Sequence, residues 1–318
     1  MTDVRTLGAL ESSDTDELLR IVDGHCKARD WDVLEELRLR CQEAVTRGKQ
    51  LWGVDEHIRY RLALEAPAAQ AAKVLDEGRA RFTLGPLPEV AASTKTWREL
   101  APYMGHGPER RTVVAERVIR GEVVDEEFDL PGLQEWEPKY AVATYKSHEV
   151  ETPQPKLPGL TIAELPQDPK IFEDPDSEAA LTDLVEPWVD QSNGRSQTTS
   201  VEGDVLAAVS ALGLRGALIA ELSPQQAMAQ MAWAAASGGA HGERRGAAAG
   251  RYLAWWVVST LADLDWPSPA RAVGEACQRM KWLWFDDSSP EGGWALRIAV
   301  SDPDLGLAWA LSATDVAD

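Results

Sequence analysis

Proline is concentrated in one stretch of this chain, and that stretch limits where long helices can form. Between residues 130 and 176 the sequence contains Pro131, Pro138, Pro153, Pro155, Pro158, Pro166, Pro169 and Pro175. Because proline fixes φ and lacks a backbone N–H, these positions favour extended backbone over helix. Trp136, Tyr140, Tyr145 and Leu160 need burial, so we predict that residues 130–176 form an ordered proline-rich strap between two domains.

The residues before the strap carry helical patterns. Asp14 followed by Glu17 is typical of a helix N-terminus. Leu34, Leu37 and Cys41 recur at helical spacing in the segment ARDWDVLEELRLRCQEAVTRG, which resembles one helix of a tetratricopeptide-type hairpin. No second copy follows at a fixed period, so a repeat array is not indicated. We expect residues 1–129 to form an antiparallel helical bundle.

The residues after the strap alternate between strand and helix patterns. Residues 196–201, 215–222 and 294–300 are typical of strands. Helical patterns lie between them, including one that runs from Ser268 to Phe285, and a last one follows Asp302-Pro303. We expect residues 177–318 to form an α/β layer domain with a sheet of about three strands. The whole chain is therefore predicted to be of the mixed α+β class.

Glycine, histidine and arginine are concentrated in one loop of that domain. Ser223 and Gln226 form a helix-start pattern, and the nearly all-apolar segment 246–262 indicates a second helix. The loop between them has the glycine spacing GGxxGxxxG, which matches neither the Walker A nor the Rossmann pattern. Arginine beside a helix N-terminus is opposed by the helix dipole, so we expect a negative group nearby.

This negative group has two interpretations. In the first it is a ligand: a phosphate, nucleotide or carboxylate. The predicted ligand-binding residues are then Ser237, Gly238, Gly239, Gly242, Arg244, Arg245 and Arg251, with Asn193 and Arg195 from a second polar turn. His241 is the candidate catalytic acid/base. In the second interpretation the arginines pair with the chain's own carboxylates, and the glycines only allow a tight turn between two helices.

Composition argues against several classes of function. The formal net charge of −20 opposes binding to phosphate backbones, so a nucleic-acid partner is not expected. Three cysteines are too few and too scattered for a disulfide framework. The histidines lie far apart in the sequence and no cofactor motif occurs, so we predict neither a metal nor a cofactor. No apolar run is long enough to span a membrane and no leader pattern is visible, so we expect a cytoplasmic protein without a membrane partner.

Two resemblances add to these patterns. The order of strand, helix, GxxG loop (Gly239 to Gly242) and helix is similar to the KH module, which implies nucleic-acid binding, but here the loop is longer and the second helix has no basic face. The stretches SNGR, ASGGAHG and GLAWALSATD, in a chain rich in Ala, Arg, Trp, Asp and Glu, resemble an uncharacterised conserved family of high-GC, actinobacterial-type bacteria. That family has no known activity, so the resemblance implies none.

Two functional hypotheses from different classes follow. The first is a regulatory or scaffold protein that acts through protein–protein contacts, because the chain offers large helical and acidic surfaces. The second is an anion- or nucleotide-binding protein, or an enzyme acting on a phosphorylated small molecule, that uses the 237–251 loop. The partners of Arg244 and Arg245 discriminate between them, since a ligand site needs these guanidinium groups to face a cavity.

Overall fold

The computed structural model describes residues 4–75, 83–124, 131–286 and 293–317. These residues divide into two compact units. Unit 1 comprises residues 4–75, 83–124 and 143–151, and unit 2 comprises residues 131–142, 152–286 and 293–317. The proline-rich segment therefore contributes residues to both units.

Unit 1 is mainly helical. Its elements are α1 (Val4–Ser12), α2 (Thr15–Ala28), α3 (Trp31–Thr46), α4 (Trp52–Glu65), α5 (Ala68–Leu75), α6 (Leu87–Thr94), α7 (Trp97–Leu100), a 3₁₀ turn (Ala101–Tyr103), α8 (Pro108–Ile119) and the short strands β1 (Thr144–Tyr145) and β2 (Val150–Glu151). Asp14 caps α2, since its carboxylate accepts a hydrogen bond from the Glu17 N–H at 3.0 Å. Leu18, Leu34 and Ile58 are fully buried where these helices pack together. The predicted helical character of this part is confirmed.

Unit 2 combines helices with most of the strands. Its elements are β3 (Thr161–Glu164), β4 (Lys170–Ile171), α9 (Pro175–Asp183), α10 (Glu186–Asp190), β5 (Arg195–Glu202), α11 (Val205–Ala211), β6 (Gly216–Leu222), α12 (Pro224–Ala236), α13 (Ala247–Leu261), α14 (Ala270–Arg279), β7 (Lys281–Asp286), β8 (Trp294–Asp302) and β9 (Leu307–Asp315). The capping box predicted at Ser223 and Gln226 is present at the start of α12. The chain is thus of the mixed α+β class, as predicted.

The strands of unit 2 form an antiparallel sheet that separates two layers of helix. Within the described residues the sheet has seven strands in the order β3-β6-β7-β8-β9-β5-β4. Side chains alternate along β9: Ala308 and Ala310 pack with α11, while Trp309 points to the other face, where its Nε1 donates to Asp174 at the start of α9. Helix α12 contacts β7 and β8, and α13 packs on α12.

The prediction of about three strands was wrong, because β7 and β9 lie in segments with helical sequence patterns and β3 and β4 lie in the proline-rich segment. The sequence pattern continued a helix to Phe285 and began another after Pro303, whereas Lys281–Asp286 is β7 and Leu307–Asp315 is β9. Alanine and leucine in β9 favour helix in isolation. In the folded chain β9 pairs with β8 and β5 along its length, and this non-local pairing outweighs local propensity.

Two glycines inside helices provide a matched test of the packing. A Cβ at Gly250 would lie 2.1 Å from the Ala232 carbonyl oxygen, whereas a Cβ at Gly24 meets nothing within 4 Å. Gly250→Ala should therefore force α13 away from α12 and lower the unfolding free energy by at least about 2 kcal/mol. Gly24→Ala should raise it by up to about 1 kcal/mol through helix propensity. Denaturant titrations of the full chain test both, and equal effects would contradict the close α12–α13 contact.

Candidate functional site

The glycine-rich loop predicted as a ligand site connects α12 to α13. It packs against the turn after α10 and against the end of β9. A Cβ at Gly238 would lie 2.0 Å from the Gly242 carbonyl oxygen, and a Cβ at Gly242 would lie 2.4 Å from that of Gly238. Gly239 has a φ of +70° and leaves no room for a side chain beside Asp315. These glycines are therefore needed for the loop to fold on itself.

The backbone N–H groups of the loop donate to the protein's own side chains. The Ala240 N–H donates to Asp315 Oδ2 at 2.6 Å, and the His241 N–H donates to Ser192 Oγ at 3.2 Å. The Glu243 N–H donates to Gln191 Oε1 at 2.9 Å. Asp315 is only 1 % exposed. The negative group held by this loop is thus a buried carboxylate from the end of β9.

Arg245 connects the ends of two helices. Its Nε donates to the Ala235 carbonyl at 2.8 Å, and one terminal nitrogen donates to the carbonyls of Asp183 and Leu184 at 2.8 and 2.9 Å. These carbonyls lie at the C-terminal ends of α12 and α9, where a cation is favoured by the helix dipole. Glu186 adds a longer ion pair at 3.4 Å. Most of the donors of Arg245 are therefore engaged in stabilising the fold.

Arg251 forms a buried ion pair with Glu137. Its Nε and one terminal nitrogen each donate to a carboxylate oxygen at 2.7 Å, and the Glu137 side chain is fully buried. Tyr140 and Trp255 also donate to Glu137, at 2.6 and 2.8 Å. Burial alone would raise the pKa of Glu137, but the Arg251 ion pair and these donors hold it below its ordinary value. The network fastens the proline-rich segment to α13.

The remaining predicted residues lie around the same loop. Ser237 is buried and its Oγ accepts from the Gly239 N–H at 3.0 Å. His241, Asn193 and Arg195 are exposed, and Arg244 is half-buried. The turn of residues 191–195 does approach the loop, through the contacts made by Gln191 and Ser192. The surroundings of Arg245, Arg251 and the loop N–H groups favour the interpretation in which the chain supplies its own anions.

A groove of about 550 Å³ lies in unit 1, and none of the site residues predicted from the sequence lines it. It lies where three helix–helix turns come together: the turn from α2 to α3, the turn from α4 to α5, and the turn from α6 to α7. The lining residues are Cys26, Arg29, Trp31, Leu64, Glu65, Ala66, Pro67, Ala68, Thr94, Lys95 and Glu99. Sequence reasoning missed this groove because its residues come from three separate turns, none of which carries a recognisable motif.

The charged side chains of the groove differ in the hydrogen bonds and ion pairs that they make within the protein. Lys95 donates from Nζ to the carbonyls of Ala63 and Leu64 and to Thr94 Oγ1, at 2.7, 3.0 and 3.0 Å, and burial lowers its pKa to about 8. Glu65 pairs with Arg61. The guanidinium of Arg29 makes no hydrogen bond or ion pair within the described residues, although its backbone caps α2.

A second cluster of polar residues in unit 1 brings together His57, His148 and Asp23. The two imidazole rings have centroids 5.6 Å apart, and His148 Nε2 lies 3.3 Å from Asp23 Oδ1. Burial, with the nearby Arg61 and His148, lowers the pKa of His57 to about 4, so its ring is neutral at pH 7. These residues are distant in sequence, and only the fold of unit 1 brings them together.

A family model described as a family of unknown function, DUF6183, matches residues 16–317, which is nearly the whole chain. The chain belongs to the DUF6183 family. The predicted resemblance to an uncharacterised family is confirmed to that extent, and the bacterial source that it implied stays a prediction. No curated protein and no solved structure matches the chain.

None of the described helices of this DUF6183 protein combines the length and the apolar character that crossing a bilayer requires.

The Arg251–Glu137 pair of the DUF6183 protein makes a measurable contribution to stability. Glu137→Gln leaves the Arg251 guanidinium buried without its counter-charge, so the unfolding free energy should fall by about 3–5 kcal/mol. Glu135→Gln, at an exposed neighbouring position, should change it by less than about 0.5 kcal/mol. Denaturant titrations near pH 7 measure both, and a Glu137→Gln variant as stable as the control would contradict this role.

The same pair predicts a dependence of stability on pH. Because the folded-state pKa of Glu137 is lowered, its contribution is complete above the ordinary glutamate value of about 4.3 and declines as the pH falls through the lower folded value. The difference in thermal midpoint between wild type and Glu137→Gln should therefore narrow on acidification from about pH 6 to about pH 3. A difference that stays constant over this range would show that folding does not shift the pKa of Glu137, and would contradict the lowered folded-state value.

Proposed function

We propose that this protein is a regulatory or scaffold protein that acts through protein–protein contacts, with the groove of unit 1 as its docking site. The partner is a protein segment that brings a carboxylate to Arg29 and an apolar side chain to Trp31 and Leu64. The observation that carries this proposal is the groove itself, where an unengaged guanidinium lies beside apolar surface. We further propose that this contact is made in the cytoplasm.

The size and lining of the groove suit a peptide segment. Small-molecule sites are typically about 300–1,000 Å³, so a groove of about 550 Å³ has room for an anchoring side chain of a docked segment. Trp31, Leu64 and Pro67 supply apolar surface. Aromatic and arginine side chains often contribute most of the binding energy of protein interfaces. Both types are present at this groove.

Arg29 has the properties of an anchor for a carboxylate. Its side chain is exposed and lines the groove, and its guanidinium matches the two oxygens of a carboxylate. Its backbone has a φ of +59°, in the left-handed region that favours glycine. Keeping a side chain there costs about 1–2 kcal/mol, so glycine is a well-tolerated replacement at this helix C-terminus.

The hydrogen-bond donors of the 237–251 loop are already bonded within the protein, which supports the groove over this loop as the binding site. An anion or nucleotide at the 237–251 loop would compete with Asp315 for the Ala240 N–H and with Glu137 for Arg251. At the groove, the Lys95 amine already donates to three oxygens. These hydrogen bonds support a structural role for Lys95 as a cap of α4, and they disfavour a role as a catalytic nucleophile. A phosphorylated small molecule is therefore the less supported ligand.

The cysteines support the cytoplasmic part of the proposal. Cys26, Cys41 and Cys277 are free and buried. Burial raises the pKa of Cys26 to about 11 and that of Cys41 to about 12, so both stay protonated and unreactive at neutral pH. Unpaired thiols of this kind are typical of reducing compartments.

A peptide-binding experiment tests the groove. The probe is a peptide array of random ten-residue sequences, incubated with the full chain and with Arg29→Gly. Glycine fits the left-handed backbone, so this variant should be at least as stable as wild type while lacking the guanidinium. We expect wild type to select peptides that combine a carboxylate with an apolar residue. Arg29→Gly should weaken them by about 10-fold or more, as measured by fluorescence anisotropy.

The control is Arg47→Gly, which removes another exposed arginine at the end of a helix, at the opposite end of α3 from the groove. It should bind the selected peptides as wild type does. If both variants bind equally, Arg29 is not the anchor. If no peptide is selected but a carboxylate-bearing small molecule binds in an Arg29-dependent way, the docking of a protein segment is excluded.

A further inference from the structure

Asp23, His57 and His148 form a polar cluster in unit 1 and do not line the groove. Asp23 lies on α2, His57 on α4 and His148 in the turn between β1 and β2. Each residue offers one nitrogen or carboxylate oxygen, and these three atoms all lie within 4.8 Å of one another. Three elements of unit 1 therefore direct potential metal ligands at one point.

One ligand–ligand distance and the spacing of the two rings match a shared ion. Two ligand atoms bound at about 2.0–2.1 Å to a tetrahedral ion lie about 3.3 Å apart. The His148 Nε2 to Asp23 Oδ1 distance is 3.3 Å. Imidazole rings that share such an ion have centroids about 5 Å apart, given these bond lengths. The rings of His57 and His148 are 5.6 Å apart at their centroids, with an angle of 11° between their planes.

His57 supplies a second, independent observation. Its Nε2 atom is buried and has no hydrogen-bond partner in the described part of the protein. Buried polar atoms are nearly always paired, and leaving one unpaired costs free energy. A metal ion that is bound through this nitrogen, together with His148 and Asp23, would give it a partner.

The surrounding contacts fix the ligands in place, as outer contacts do around protein-bound metals. The Tyr60 hydroxyl donates to the Lys146 carbonyl, and Ser147 Oγ donates to Glu65 Oε1 at 3.0 Å, so the turn that carries His148 is anchored on α4. Arg61 donates to both Asp23 and Glu65. Two carboxylates offset this guanidinium, which leaves a net negative charge to attract a cation.

We propose that Asp23, His57 and His148 form a binding site for a divalent transition-metal ion. Two imidazoles and one carboxylate suit Zn²⁺ and the neighbouring ions Co²⁺, Ni²⁺ and Fe²⁺ better than Mg²⁺ or Ca²⁺, which prefer oxygen ligands. The His148 side chain is 61 % exposed, so the remaining coordination positions face water. The ion would connect α2, α4 and the β1–β2 turn.

Metal titration of the full chain tests this site. After treatment with a chelator, the reduced protein is titrated with Co²⁺, followed by visible absorption, and with Zn²⁺, followed by calorimetry. We expect one equivalent of each ion to bind to wild type. His148→Ala, which changes an exposed side chain, should fold normally and weaken Zn²⁺ binding by at least about 100-fold, since removing a ligand should cost at least as much as losing an outer contact. His57→Ala should have the same effect.

The control is His106→Ala, which removes an exposed loop histidine of unit 1 outside the cluster. It should bind Co²⁺ and Zn²⁺ as wild type does. Zn²⁺ should also raise the thermal midpoint of wild type and of His106→Ala, but not that of His148→Ala. Equal Zn²⁺ affinity in all of these proteins, or no binding by wild type at micromolar ion, would overturn the proposal.

Discussion

Buried carboxylates organise unit 2, because a carboxylate removed from water needs donors from the surrounding chain. Glu137 accepts hydrogen bonds from Arg251, Tyr140 and Trp255, and this holds the proline-rich segment 131–140 on α13. Asp315, at the end of β9, accepts from the Ala240 N–H and fixes the glycine-rich loop. Helix α13 in turn packs on α12, which covers the sheet.

This requirement explains why the loop resembled a ligand site in the sequence. Glycines that allow backbone to approach an anion, and arginines at helix ends, are the same features that bind phosphate in other proteins. Here Gly238 and Gly242 allow the loop to fold on itself, and Arg245 caps the ends of α12 and α9. The local pattern indicates anion-binding chemistry, and the anions that lie near it are Asp315 and Glu137.

Local signals in the sequence predicted the elements that depend on local interactions. The helix starts at Asp14 and Ser223 are set by contacts within three residues, and both were predictable. The strand character of Lys281–Asp286 and Leu307–Asp315 depends on partners elsewhere in the chain, so the sequence pattern assigned both to helices. The central strands β7 and β9 were therefore missed, whereas β5, β6 and β8 were predicted.

The two sites of unit 1 could not be predicted for a related reason. The groove needs three helix–helix turns side by side, and the cluster needs α2, α4 and the β1–β2 turn to meet. Arg29, Trp31 and Lys95 carry no recognisable motif, and His57 and His148 lie far apart in the sequence. Only the packing of the helical unit places these residues together.

Hydrogen–deuterium exchange of the full chain, with and without a peptide selected by it, tests most directly whether the groove or the loop is the binding surface. Docking in the groove predicts slower exchange in residues 26–31, 64–68 and 94–99 and unchanged exchange in residues 237–246. Slower exchange in residues 237–246, with no change around Arg29 and Lys95, would contradict docking in the groove and would show that the peptide binds at the glycine-rich loop.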